Sequence, residues 1–117
     1  MTAVLATLAA GALGAVLRFL VTRAFGERPV RAVLLVNLAG SALGGALLAL
    51  TSGDVRLILL TGFCAGLTTF STFSVHTVEL AMKGKWSPVI SAVVANVAFG
   101  VIAAATAITM MTPLAPR

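Results

Sequence analysis

Acidic residues are almost absent from this chain of 117 residues: Glu27, Asp54 and Glu79 are its only carboxylates. Glu27 and Asp54 fall between apolar runs and Glu79 near the end of one, so no run carries a carboxylate at its middle. That removes paired-carboxylate catalysis, and it removes the intramembrane acid that proton-coupled cation export needs. One histidine and one cysteine supply no metal cluster and no nucleophile with a base beside it, so an enzyme is not expected. Cys64 has no partner for an internal disulfide and reads as a packing residue on an apolar helix. Charge of either sign is scarce, 9% of residues against about 25% in an ordinary soluble domain. With 60% hydrophobic residues, a soluble fold would have nowhere to put its apolar surface, and a disordered chain is excluded by the same figures.

What is present is long hydrophobic runs. About 20 apolar residues span the ~30 Å hydrocarbon core of a bilayer. Four stretches meet that length, approximately 3–21, 32–50, 55–80 and 87–111, with no residues left over for a soluble domain. The expected fold is an all-α membrane protein of four transmembrane helices. Breakers stand between the runs: Thr51-Ser52-Gly53-Asp54 after the second, Lys83-Gly84-Lys85 after the third, and Ser87-Pro88 at the start of the fourth. Lys83, Lys85 and Trp86 read as an interfacial anchor. No basic residue precedes the first run, so a cleaved signal peptide is not expected.

The eight Lys and Arg residues give a net charge of +5, but they sit between the runs and form no stripe with interleaved aromatics. Nucleic-acid binding is therefore not expected. Arg18, Arg23, Arg28, Arg31, Lys83 and Lys85 fall on one side of a four-span topology, Arg56 and Arg117 on the other. The positive-inside rule then places the first and third loops in the cytoplasm and both termini outside the cytoplasmic membrane.

Small residues recur at helix-contact spacing: Gly40 with Gly44, Ser41 with Gly45, Gly62 with Gly66, and the ladder Ala92, Asn96, Gly100, Ala104. Such faces let helices approach closely in lipid. Four short helices leave little interior for a polar route, so an oligomer is expected. The third run holds an unusual segment, Gly62 to Ser74, with two glycines, three threonines, two serines and three phenylalanines at membrane depth. A continuous helix tolerates such hydroxyls by bonding them back to its carbonyls. A helix that unwinds there exposes carbonyls to cations and N–H groups to anions, and it must be buried in protein or line water. Asn37 and Asn96 pose a parallel choice between helix–helix glue and anion donor. Arg18 should face an aqueous vestibule or a carbonyl cluster, or snorkel to the interface. His76 could carry protons, though a lone histidine near a helix end is more simply satisfied or water-facing.

Together, Gly11 to Phe19, Val36-Asn37-Leu38-Ala39-Gly40-Ser41 and above all Gly62 to Ser74, with its Thr-Thr-Phe-Ser-Thr-Phe core, resemble the fluoride channel family. The resemblance covers nearly the whole chain. It implies passive fluoride export by an antiparallel dimer with two pores, in which the third helices break near the midplane. It implies pores lined by Asn37, Phe70, Phe73, Ser71, Thr72 and Asn96, and a vestibule holding Arg18 and His76. It further implies a central structural Na+ held by the backbone carbonyls of Ala65 and Thr68. Phenyl edges are electropositive and can accept an anion, and a buried cation offsets anion desolvation. The chain departs from the family pattern at Ala92 and Asn96, which stand where a tyrosine and a serine are usual. It departs again at His76, in a usual glutamate position, and at Ala65, in a usual glycine position.

An antiparallel homodimer inserts in both orientations and wants a loop charge bias near zero. The six-to-two bias here predicts mainly one orientation, hence pairing with an oppositely oriented paralogue; homodimer and heterodimer both remain open. Two other readings compete. A small multidrug-resistance-type proton-coupled exporter has similar length but requires a carboxylate in the first span. A non-transporting membrane adaptor would use the glycine faces but would leave the Thr, Ser and Phe segment without a purpose.

Overall fold

The computed structural model describes residues 1–115; Pro116 and Arg117, the latter part of the charge count above, lie outside the described residues. Four helical spans are long and apolar enough to cross a membrane, and the chain is a multi-pass, all-α membrane protein. Helix α1 covers Thr2–Ala24 and α2 covers Pro29–Leu50. At 1.5 Å per residue each reaches about 33–35 Å, enough for the hydrocarbon core. The third span, Gly53–Met82, is composite. It opens with α3 (Gly53–Arg56), widens into a π-helical stretch (Leu57–Cys64), and closes its first half with α4 (Ala65–Leu67). After a break it resumes as α5 (Ser71–Met82). Helix α6 (Trp86–Met111) runs into a 3-10 turn (Thr112–Leu114).

The helices overrun the apolar runs that forecast them. Arg23 belongs to the last turn of α1, where its charge suits the negative end of the helix dipole. Pro29 occupies the first turn of α2, where its missing N–H costs nothing. Gly26 and Gly84 turn the two polar connections with positive φ, 51° and 70°, which side chains with a Cβ adopt rarely. Arg56 sits at the opposite end and does more than carry loop charge. Its guanidinium donates to the Leu48 carbonyl at 3.0 Å and through Nε to the Thr51 carbonyl at 2.7 Å. It thereby satisfies carbonyls that the end of α2 leaves without helical partners.

Packing is sparse and rests on small residues. The largest fully buried side chains are Val33 and Val36 of α2, while Leu8, Leu13, Val16 and Val101 stand more than half exposed. Water would not tolerate that surface; lipid does, and between helices in lipid the attraction comes from close packing. Helix α1 lies along the first half of the third span, and α2 lies along α6. A Cβ on Gly14 or Gly66 would strike the backbone of the facing helix, and one on Gly45 would strike the Ala104 backbone. The small-residue spacings Gly62/Gly66 and Ser41/Gly45 are therefore helix contacts within one chain. Beyond its break the third span leaves α1 and leans on α6 instead.

Candidate functional site

The third span ends its first helical half at Thr68, whose backbone turns to an extended conformation (φ −82°, ψ 160°). An unbroken helix would carry the Thr69 N–H to the Ala65 carbonyl and the Phe70 N–H to the Gly66 carbonyl. Neither bond exists here, so polar backbone is released at membrane depth and must find other partners. Asn37 of α2 and Arg18 of α1 partner the Thr69 N–H and the Gly66 carbonyl, and Thr69, in the break itself, caps the helix that follows.

Asn37 of α2 brackets the Thr69 peptide. Its Oδ1 accepts the Thr69 N–H at 2.8 Å, and its Nδ2 donates to the Thr69 carbonyl at 3.1 Å. Arg18 of α1 donates its Nε–H to the freed Gly66 carbonyl at 3.1 Å. Thr69 itself, 7% exposed, starts the next helix: its Oγ1 accepts the Thr72 N–H at 3.2 Å, one of the donors that a helix N-terminus leaves open. The single hydroxyl hydrogen of Thr69 goes to Thr72 Oγ1 at 3.1 Å, so the contact with Ser71 Oγ at 3.3 Å has Ser71 as donor. Thr72 then keeps its own hydroxyl hydrogen for another acceptor.

Two clefts flank this junction. One, of about 330 Å³, is open and lined by Asn37, Thr68, Thr69, Phe70, Phe73 and Asn96, with Ser41 at its wall. Phe70 is 80% exposed, and its ring centroid lies 6.2 Å from that of Phe73 at a 46° tilt. The other cleft, of about 280 Å³, brings Arg18, Thr72 and His76 together beside Thr22 and Val33. His76 Nδ1 is also 3.6 Å from Glu79 Oε2, one helical turn along α5. The residues singled out from the sequence thus divide. Asn37, Phe70, Phe73 and Asn96 share the first cleft; Arg18, Thr72 and His76 share the second; Ser71 lines neither and is tied to Thr69.

Both hydrogens of the Asn37 carboxamide are engaged within the chain, the second with Asn96 Oδ1 at 3.0 Å. Asn37 is therefore glue for the break as well as a cleft wall. The Thr68 carbonyl has no partner among the described residues, and the Ala65 carbonyl has only Thr68 Oγ1, at 3.5 Å. Thr68 Oγ1 has the better acceptor in the Cys64 carbonyl at 3.1 Å. Sequence reasoning did not single out Thr69 or Ser41 for the site. Thr69 stands three residues ahead of Thr72, the spacing at which a hydroxyl caps a helix, but that spacing carries meaning only once the start of α5 is fixed.

Residues 5–108 match the family described as CrcB-like protein, Camphor Resistance (CrcB). The chain is 41% identical over 106 residues to the fluoride-specific ion channel FluC of Shewanella frigidimarina, covering 83% of this chain and 86% of that one. It is 44% identical over 98 residues to fluoride-specific ion channel FluC 2 of Rhodococcus jostii, covering 80% and 85%. It is 40% identical over 109 residues to fluoride-specific ion channel FluC 1 of Thermobifida fusca, covering 89% and 90%. With a broken third span carrying the Thr-Thr-Phe-Ser-Thr-Phe segment and a family match across nearly its whole length, the chain belongs to the CrcB-like family.

Proposed function

We propose that this chain is the subunit of a fluoride-selective channel that lets fluoride leave the cell passively across the cytoplasmic membrane. The observation that carries the reading is the break at Thr68–Phe70 opening onto a cleft walled by Asn37, Phe70, Phe73 and Asn96. An anion leaving water needs donors in place of its hydration shell. Phenyl edges at Phe70 and Phe73 offer weak positive potential without a charge that would trap the ion. The free hydroxyl hydrogen of Thr72 and the guanidinium of Arg18 supply donors on the side where His76 stands. Arg18 draws anions toward that mouth by its charge.

One chain leaves this route half-walled. Phe70 and Ser71 are exposed at the break, and the Ala65 and Thr68 carbonyls there are poorly partnered, polar backbone that lipid does not satisfy. A second, antiparallel copy or an oppositely oriented paralogue would cover it and create two pores. Carbonyl oxygens suit a hard cation such as Na+, and the poorly partnered carbonyls of Ala65 and Thr68 fit that chemistry. Two oxygens per chain make an incomplete shell, so a sodium site requires both subunits. Bound there, the cation would supply positive charge to offset anion desolvation and would tie the subunits together.

Growth tests this reading. Expression of the chain, with its natural partner where one exists, should restore growth on fluoride to a bacterium lacking its own fluoride exporters. Persistent fluoride sensitivity with the protein correctly inserted would count against it.

A further inference from the structure

Asn37 can bracket the Thr69 peptide only while its carboxamide plane is held in one orientation. The two bonds to Thr69 use Oδ1 and one Nδ2 hydrogen, leaving the second hydrogen of Nδ2 without a partner on the third span. It meets α6, where Asn96 Oδ1 accepts it at 3.0 Å. Asn96 is oriented in its turn: its Nδ2 donates to the carbonyl of buried Ala92, one turn earlier on α6, at 3.0 Å. With the NH2 side of Asn96 tied to its own helix, its oxygen is left facing Asn37. Two amides in series thus run from the α6 backbone to the peptide at which the third span stops being helical. In a low-dielectric setting such chained bonds reinforce one another, and an unpaired member is costly.

We propose that Asn96 is a positioning residue, which holds Asn37 in the orientation that clamps the Thr69 peptide and so fixes the break of the third span from α6. Its importance for conduction rests on the channel reading above; the clamp itself does not. Asn96 acts through Asn37, and no contact of its own with a permeating ion is required.

The test is residue-resolved amide hydrogen exchange on the full-length chain in lipid nanodiscs. Asn96→Leu keeps the shape and removes both polar groups, and Asn96→Ala guards against an effect of the larger apolar group. Each substitution should speed exchange of the Thr69 N–H roughly tenfold, the scale of one lost hydrogen bond, while amides at the contact of α1 with the third span stay unchanged. In an Asn37→Ala background the same substitutions should add nothing. Unchanged Thr69 exchange in both variants would overturn the proposal, as would an effect equally large without Asn37. Flux lost with Thr69 exchange unaltered would make Asn96 an ion contact and overturn it too. Failure of the channel reading looks different: no fluoride flux from the unmodified chain or its pair, with the exchange pattern intact.

Discussion

Arg18 of α1 donates its Nε–H to the Gly66 carbonyl at 3.1 Å, across 48 residues of chain, and so fills the vacancy that the broken third span leaves at that carbonyl. A charged side chain at membrane depth is costly unless it meets such a partner or water, and Arg18 has both a carbonyl and a cleft. Arg18→Met removes the donor and leaves Gly66 unsatisfied. A hydrogen bond to a charged group contributes about 1.5–3 kcal/mol. The variant should lose stability on that scale, read as a lowered midpoint of denaturant unfolding in detergent; an unchanged midpoint would mean that the bond carries no net stability.

Close approach of backbones should make some glycines irreplaceable and others not. A Cβ on Gly14 would fall 2.8 Å from the Leu67 backbone nitrogen, where only helix displacement gives relief. A Cβ on Gly100 would meet nothing nearer than Ser41 Oγ at 3.5 Å, an ordinary contact. Gly14→Ala should cost about 1–3 kcal/mol, as overpacking does, and Gly100→Ala should be close to neutral. Thermal unfolding of the two variants side by side checks the difference.

The phenylalanines separate a channel from a helix-binding adaptor. Phe70 is exposed and Phe73 half-buried, and they touch as a tilted pair in the open cleft. Phe70→Ile and Phe73→Ile should abolish most fluoride flux while the purified protein keeps its helix content and its assembly size. Loss of assembly with flux per complex unchanged would support the adaptor.

The four spans are legible in run length and charge scarcity, because a bilayer sets a minimum helix length that few soluble sequences meet. Hydropathy does not decide whether the third span is broken. Thr68, Thr69, Ser71 and Thr72 suit a continuous helix by bonding back to carbonyls, and they equally suit an unwound one. The deciding contact comes from Asn37, 32 residues away, and sequence spacing carries no signal for that. The π-helical widening at Leu57–Cys64 is equally hidden, since eight largely apolar residues show no period to distinguish one helix type from another. Arg56 has the sequence context of a loop charge, yet it caps α2.

Charge asymmetry yields a topological expectation. Among the described residues, the ends of the spans beside Phe25–Arg28 and Lys83–Lys85 hold most of the cations. Cysteine-accessibility labelling of a C-terminal tag in intact cells should find it mainly on one face, the outside. Equal labelling on both faces would show dual insertion and favour a homodimer over a pair with a paralogue.

Whether the chain conducts fluoride is decided by fluoride release from liposomes. The purified chain is reconstituted alone and with an oppositely oriented paralogue, and efflux is followed with a fluoride electrode and a chloride control. A fluoride channel gives rapid fluoride release, with chloride retained, in at least one of the two preparations. Well-folded protein that releases no fluoride in either, or that releases chloride as readily, would contradict the channel reading.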